Sequence, residues 1–505
     1  MPRVVGKQRI LDETLMMKTN PSRSIEQGGV LNRREFLKTA ACGFGGLALS
    51  SLLTPAWAGR GPLGGRAPHF SPRAKRMIFV FLAGGPSQGD LFAPKPYITG
   101  RHGQAIESPV GDDGQERVGV AQFLPMAPIR PIRPRGQSGM MMSDLLPHLS
   151  KVSDELCLLR AVVADNKAHA PATLQFHTGH IAEARPSMGA WLSYGLGTQN
   201  SNLPSFVTIH PPGDGRSHGA GFLPAIHQGT PLRVPRKKGE LAISNLEDPE
   251  SDAGGQRQRL NFLQGLNRRL LNRVKRDAQM EGIIESFELA FRMQAAAPEL
   301  VDLAGEPETI RKLYGVDGKH TNINGRACLL ARRLSEAGVR FVQVTMGGWD
   351  HHGAILNGLP RSCAGADQPI AGLLEDLRQR GLLDETMVMI SGEFGRTYWS
   401  QDISGSSPIE KHGREHQQES FCTLLAGGGI RPGMVYGETD EFGYRPVAGR
   451  VHLHDLHATL LHQLGIDHER LTYPHHGRDY RLTDVYGRVV SEILSAAPRE
   501  AKGRA

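Results

Sequence analysis

The sequence predicts a three-layer α/β/α fold, a largely parallel sheet covered on both faces by helices, and three observations predict it. Val339 to Met346 (VRFVQVTM) and Thr386 to Ile390 (TMVMI) are β-branched, apolar runs suited to strands buried on both faces. The stretch between them reads as a helix, with Pro369 in its first turn, Ile370, Leu373, Leu374 and Leu377 on one face and Gly381 just past its end. Further short apolar runs, Met77 to Leu82, Cys157 to Val163, Phe206 to Ile209 and Phe421 to Ala426, supply more strands for the same sheet. A right-handed crossover makes the strands of the βαβ unit parallel neighbours. Their last residues then meet at one sheet edge, where open α/β sheets bind ligands. Those residues are Gly347-Gly348-Trp349-Asp350-His351-His352 and Ser391-Gly392-Glu393-Phe394-Gly395-Arg396-Thr397.

Taken in order, the chain opens with residues 1–58, which read as a twin-arginine export signal. Asn32-Arg33-Arg34-Glu35-Phe36-Leu37-Lys38 precedes an apolar, Gly- and Ala-rich run from Thr39 to Leu53 and the small-residue site Ala56-Trp57-Ala58. The apolar run is too short to span a bilayer, so the mature protein is expected to have no transmembrane helix and to reside in the periplasm or outside the cell. Cys42 has no apolar segment between it and Lys38, which argues against lipidation. This route exports folded proteins, so it raises the expectation of a metal or cofactor acquired before export. The signal holds eight basic and four acidic residues, half of the chain's net charge of +8, and the remainder does not argue for nucleic acid. Cys157, Cys328, Cys363 and Cys422 form no C-x-x-C pair and read as inert thiols, the first, second and fourth in apolar strands or helices and Cys363 just before a helix.

Residues 59–75, rich in Gly, Pro and Arg, read as a linker, and one folded domain is expected over 76–497, followed by a disordered tail at 498–505. Between Pro125 and Arg135 proline recurs every third residue, which predicts an extended, irregular segment. From about 256 to 314 apolar residues recur at helical spacing, among them Leu260, Leu263, Leu266, Leu270, Ile283 and Phe287, and predict a helical insertion. Its basic run, Arg268, Arg269, Arg273, Lys275 and Arg276, reads most simply as a solvated face.

Eleven of the 21 histidines fall between His351 and His476, several beside carboxylates, as in Asp350-His351-His352 and His412-Gly413-Arg414-Glu415-His416. Imidazole and carboxylate together after strands suit a divalent metal, zinc, manganese, magnesium or calcium. Glu393 follows the same logic at the next strand. His169, at a helix start after the strand from Cys157, and Thr173 suit either the site or helix capping and packing. Ser87 and Asp90 follow the first strand and suit either a ligand role or the turn around Gly84, Gly85 and Pro86.

GGPSQGDLFAPKP, GGWDHHG, GEFGRT, LAGGGIRPGMVYGETDEFGY and HHGRDYRLTDVYG resemble a large exported bacterial family known as domain of unknown function fifteen-oh-one, over nearly the whole mature chain. More remotely, an Asp/His loop after a strand, a helix with Asp367 near its start and an acidic residue after the next strand resemble the alkaline phosphatase and sulfatase superfamily, as does the helix start around His454-Asp455-Leu456-His457. That resemblance implies metal ligands at Asp350, His351 or His352, Glu393 and His416, with Asp90 a further candidate. It implies a catalytic role at His169, which stands where sulfatases start their Cys/Ser-x-Pro-x-Arg motif, and Thr173 or Ser87 is then expected nearby as a catalytic donor. No cysteine here precedes Pro-x-Arg, which excludes an oxidised-cysteine nucleophile. Two residues depart from the family pattern: Ala93 stands where aspartate is usual and Glu415 replaces the aspartate after arginine. The implied activity is a metal-dependent hydrolase of phosphate or sulfate esters acting on an anionic ester or glycan. A non-catalytic exported protein that keeps the fold to bind an anionic glycan or a protein partner is the alternative.

Overall fold

The computed structural model describes residues 63–107, 122–234, 252–274, 277–402 and 407–496. The chain divides into two units, Met1–Gly59 and Arg60–Ala505, and everything described belongs to the second. The expected export signal and C-terminal tail lie outside the described residues.

A nine-stranded sheet forms the centre. Its strands are β1 (Arg76–Leu82), β2 (Leu156–Val163), β3 (Phe206–Ile209), β4 (Thr230–Leu232), β5 (Phe341–Met346), β6 (Thr386–Ser391), β7 (Phe421–Ala426), β8 (Met434–Tyr436) and β9 (Val451–His452). They lie in the order β8-β2-β7-β6-β1-β5-β3-β4, with β9 also pairing β2. All pairings are parallel except the two made by β7. The expected βαβ unit is therefore parallel, but β5 and β6 are not neighbours: β1 sits between them and pairs with both. The first strand is the most uniformly apolar segment of the chain, and the centre of the sheet is where such a strand loses most contact with water.

Helices cover both faces. They are α1 (His169–Thr178), α2 (Met188–Leu196), α3 (Ala253–Val274), α4 (Ala278–Val301), α5 (Glu308–Tyr314), α6 (Asn322–Glu336), α7 (Ile355–Gln379) and α8 (Leu453–Gln463). The alternation of β1 separates the two cores: Ile78, Val80 and Leu82 join Leu330 of α6 and Leu373 of α7, whereas Met77, Phe79 and Phe81 join Phe176 of α1, Trp191 of α2 and Leu460 of α8. The insertion expected at 256–314 corresponds to α3, α4 and α5, with Leu289, Met293 and Ala297 of α4 in the first core.

Three expectations need correction. Pro369 does not open the connecting helix but lies inside α7, a 25-residue helix that also contains Pro360; Cys363 is buried within it rather than ahead of it. Asp367 is likewise mid-helix, where its carboxylate accepts the backbone N–H groups of His148 and Leu149 at 2.8 Å each. The end of the proline-rich run, Ile132–Arg135, is not irregular but pairs antiparallel with Met140–Ser143 as a hairpin, with Pro134 opposite Met141. Residues 63–75 contain no helix or strand but are docked, with Leu63 in the first core and the Ala74 N–H bonded to the Gln463 carbonyl at 2.9 Å. The four cysteines described are buried free thiols, and burial pushes Cys157 and Cys422 up to about 12, which keeps them unreactive.

Among the described residues no helix is long and apolar enough to cross a membrane.

Candidate metal centre

Four segments meet at the carboxyl edge of the sheet: the loop after β1, the loop after β5, the residues after β6 and the start of α1. After β5, Trp349 turns inward as part of the first core, which leaves the next residue, Asp350, facing out. After β6 the chain enters a two-stranded antiparallel pair, Gly395–Ser400 with Arg414–Gln417, in which Arg396 stands opposite His416. Cross-strand partners of this kind hold their side chains side by side. His169 is the first residue of α1, placed by the Ala168 cap.

Close backbone approach brings these segments together. Gly84 has φ +119°, and a Cβ there would lie 2.5 Å from the Asp350 nitrogen. Its N–H donates to both carboxylate oxygens of Glu393, at 3.0 and 3.1 Å, and its carbonyl accepts from Arg396. Gly413 does the same for the other side, since a Cβ there would meet the His352 carbonyl carbon at 2.2 Å. No other residue type fits at either position without moving the site.

His169, Asp350, His352 and His416 each offer a ligand atom, and these atoms lie within 4.8 Å of one another. His352 Nε2 is 2.9 Å from Asp350 Oδ1, His169 Nε2 is 3.2 Å from Asp350 Oδ2, and His416 Nε2 is 3.5 Å from Oδ1. Donors around a tetrahedral ion with bonds of about 2.0–2.1 Å stand roughly 3.3 Å apart, so the spacing fits an ion. The opposite ring nitrogens are all occupied by oxygen acceptors. His169 Nδ1 meets Glu393 Oε1 at 2.7 Å, His416 Nδ1 meets the Lys167 carbonyl at 2.6 Å, and His352 Nδ1 meets the Gln401 side-chain oxygen. Acceptors at Nδ1 fix the proton there and turn the Nε2 lone pair of each ring toward Asp350. Three lone pairs facing a carboxylate repel it unless a proton or a metal ion stands between. His169 Nε2 is buried and makes no hydrogen bond, as a nitrogen reserved for such a cation would be.

The electrostatics differ from group to group. Burial alone would raise Asp350, but the hydrogen bond and charge of Arg396, joined by His352 and His169, hold its carboxyl at about 2. Burial, with Arg396 and the two neighbouring histidines, pushes His416 down to about 4, which keeps its lone pair free at neutral pH. His169 is raised by its hydrogen bond to Glu393, with burial pulling against it. Phe394, fully buried, forms a wall against the His416 and His169 rings at centroid distances of 4.3 and 5.0 Å.

The other expected site residues stand elsewhere. Glu393 is buried outside the ligand set and holds His169 rather than the common point. His351 turns away, its Nε2 3.2 Å from Ser362 Oγ. Asp90 is buried in a two-pronged ion pair with Arg414, at 2.7 and 3.0 Å, and Ser87 donates to it at 2.6 Å, so both build the scaffold. Thr173 lies one turn past His169, and its carbonyl bonds His177 Nδ1 at 2.7 Å.

Arg396 was not among the expected residues. Its buried guanidinium bonds the carbonyls of Gly84, Gly85 and Arg414 as well as Asp350, and so acts as a fixed cation beneath the ligand set. Its sequence signal was an arginine one residue after a glycine that follows the buried Phe394.

The family model described as "Protein of unknown function (DUF1501)" matches residues 74–494. No curated protein matches the chain. Solved structures similar to it include the lipoteichoic acid synthase LtaP from Listeria monocytogenes, at 11% identity over 79% of this chain and 74% of that one, with TM-score 0.33. The PsFucS1 sulfatase from Pseudoalteromonas sp. has 12% identity over 86% and 73%, with TM-score 0.33. A protein in the alkaline phosphatase superfamily from Vibrio parahaemolyticus has 9% identity over 80% and 70%, with TM-score 0.31.

Proposed function

The chain belongs to the DUF1501 family over nearly all of its folded body, and from the site this sequence builds we propose that it is an exported, metal-dependent hydrolase of phosphate or sulfate esters. One observation carries the reading: three imidazoles, each held at Nδ1 by an oxygen, aim Nε2 at the carboxylate of Asp350. Such a set of three nitrogens and one carboxylate suits zinc or a similar transition ion better than magnesium or calcium, which favour all-oxygen sites. Bound there, the ion would polarise an ester oxygen and lower the pKa of a water. His169, His352, His416 and Asp350 would hold it; Glu393 would orient His169, and Arg396 would keep Asp350 ionised and in place. The side chain of Asp350 is 45% exposed, which leaves an approach from solvent. The start of α1 favours an anionic substrate beside it.

His169 then serves as a ligand and not as the nucleophile that the superfamily resemblance implies, because Glu393 holds its Nδ1 and its Nε2 faces the ligand cluster. Water takes that role. The same commitment favours the second reading, a non-catalytic protein that uses the ion to bind an anionic glycan. The purified protein is expected to contain about one zinc-class ion per chain and to turn over at least one member of a phosphate- and sulfate-ester panel. Metal without turnover, together with binding of sulfated glycan, would establish the second reading; absence of metal after growth with zinc, manganese and nickel would defeat both.

Export through the twin-arginine route is part of the proposal. The Arg33→Lys, Arg34→Lys double substitution is expected to leave the protein inside the cell, measured by fractionation and immunoblot, and unchanged secretion would refute it.

A further inference from the structure

Helix α3 carries two apolar faces, and among the described residues only one is covered. Leu260 and Gln264 are buried, the Gln264 side chain donating to the Ile284 carbonyl of α4 at 2.8 Å. On the far side Phe262, Leu263, Leu266 and Leu270 are between 45% and 68% exposed. At about 100° per residue these four fall within roughly one quadrant of the helix. Arg259, Arg269 and Arg273 fall in or next to the same arc. The whole helix has five arginines, the others being Arg257 and Arg268, and no acidic residue. Exposed Ile283 and Phe287 of α4 extend the apolar surface.

We propose that this face of α3 docks on an anionic phospholipid surface. Large apolar side chains interleaved with arginines along one side of a helix match a bilayer interface, where the former enter the acyl boundary and the latter pair with lipid phosphates. A second copy of the chain is the poorer occupant, because a two-fold interface would set the arginines of one helix against those of the other.

The test is vesicle co-sedimentation of the Arg60–Ala505 body, which contains both cores entire, with phosphatidylcholine vesicles and with vesicles one-third phosphatidylglycerol. Binding is expected to be at least tenfold tighter to the anionic vesicles and to weaken with salt. The Arg269→Gln, Arg273→Gln variant is expected to lose roughly thirtyfold, at about 1 kcal/mol per arginine. Phe262→Ser, Leu266→Ser, Leu270→Ser is expected to lose binding as well while keeping the wild-type thermal midpoint; should it fail to fold, the arginine variant, which removes little packing, decides. Equal binding to both vesicle types, no binding to either, or undiminished binding by the arginine variant would overturn the proposal. So would a dimer in sedimentation equilibrium that the apolar substitutions abolish.

Discussion

Arg414→Met is expected to destabilise the protein by about 3–5 kcal/mol, because it strands the ionised Asp90 in the interior without its partner. Both side chains are almost fully buried, and the guanidinium also bonds the carbonyls of Met126 and Ala127 at 3.2 and 3.1 Å. The pair ties the turn after β1 to the Arg414–Gln417 strand, so its loss loosens the frame that carries His416. Replacing both partners, Asp90→Leu with Arg414→Met, is expected to recover much of the loss, since no buried charge then remains. Urea denaturation midpoints read both effects. A single variant as stable as the wild type would show that Asp90 is not ionised in the fold or that the pair is not buried in solution.

His416→Ala is expected to empty the metal centre. It removes one of the converging Nε2 donors and leaves the buried Phe394 ring without its neighbour, but it touches neither core. Metal content measured on the purified variant should fall from about one ion per chain to a small fraction of that, and ester turnover should fall with it. Glu393→Gln is expected to weaken metal affinity by about 10–100-fold, the usual effect of removing the acceptor that orients a ligating histidine. If His416→Ala retained its metal and Glu393→Gln lost it, the ligand set would have to be redrawn around Glu393.

Much of this was legible in the sequence because buried strands announce themselves as short, unbroken apolar runs. The runs at Met77, Cys157, Phe206, Thr386 and Phe421 each begin within a residue of the strand they form. The edge on which Asp350, His351, His352 and Glu393 stand followed from parallel pairing, whereas His416 entered the ligand set only through the superfamily resemblance. What the pattern could not convey was the direction of individual side chains. His351 and His352 are adjacent, yet Ser362 claims one and the site the other. Asp90 and Glu393 looked like ligands because carboxylates after strands often are; one is answered by an arginine more than 300 residues away and the other by a histidine and a glycine N–H, and no local pattern encodes such partners. The position of β1 was missed for the same reason, since apolar runs carry no address.

That position has a consequence for how the protein matures. The chain's first strand hydrogen-bonds to two strands that begin at Phe341 and Thr386, so during synthesis it must wait for most of the polypeptide before either flank is covered. The four candidate ligands span His169 to His416, and the Asp350 backbone packs on Gly84, just past the end of that same strand. A truncated or half-assembled chain therefore would not bring these four side chains together, and an ion held by them would report that the central strand has been enclosed. On the proposed function, metal uptake would follow enclosure of the central strand, and bound metal would separate finished molecules from unfinished ones.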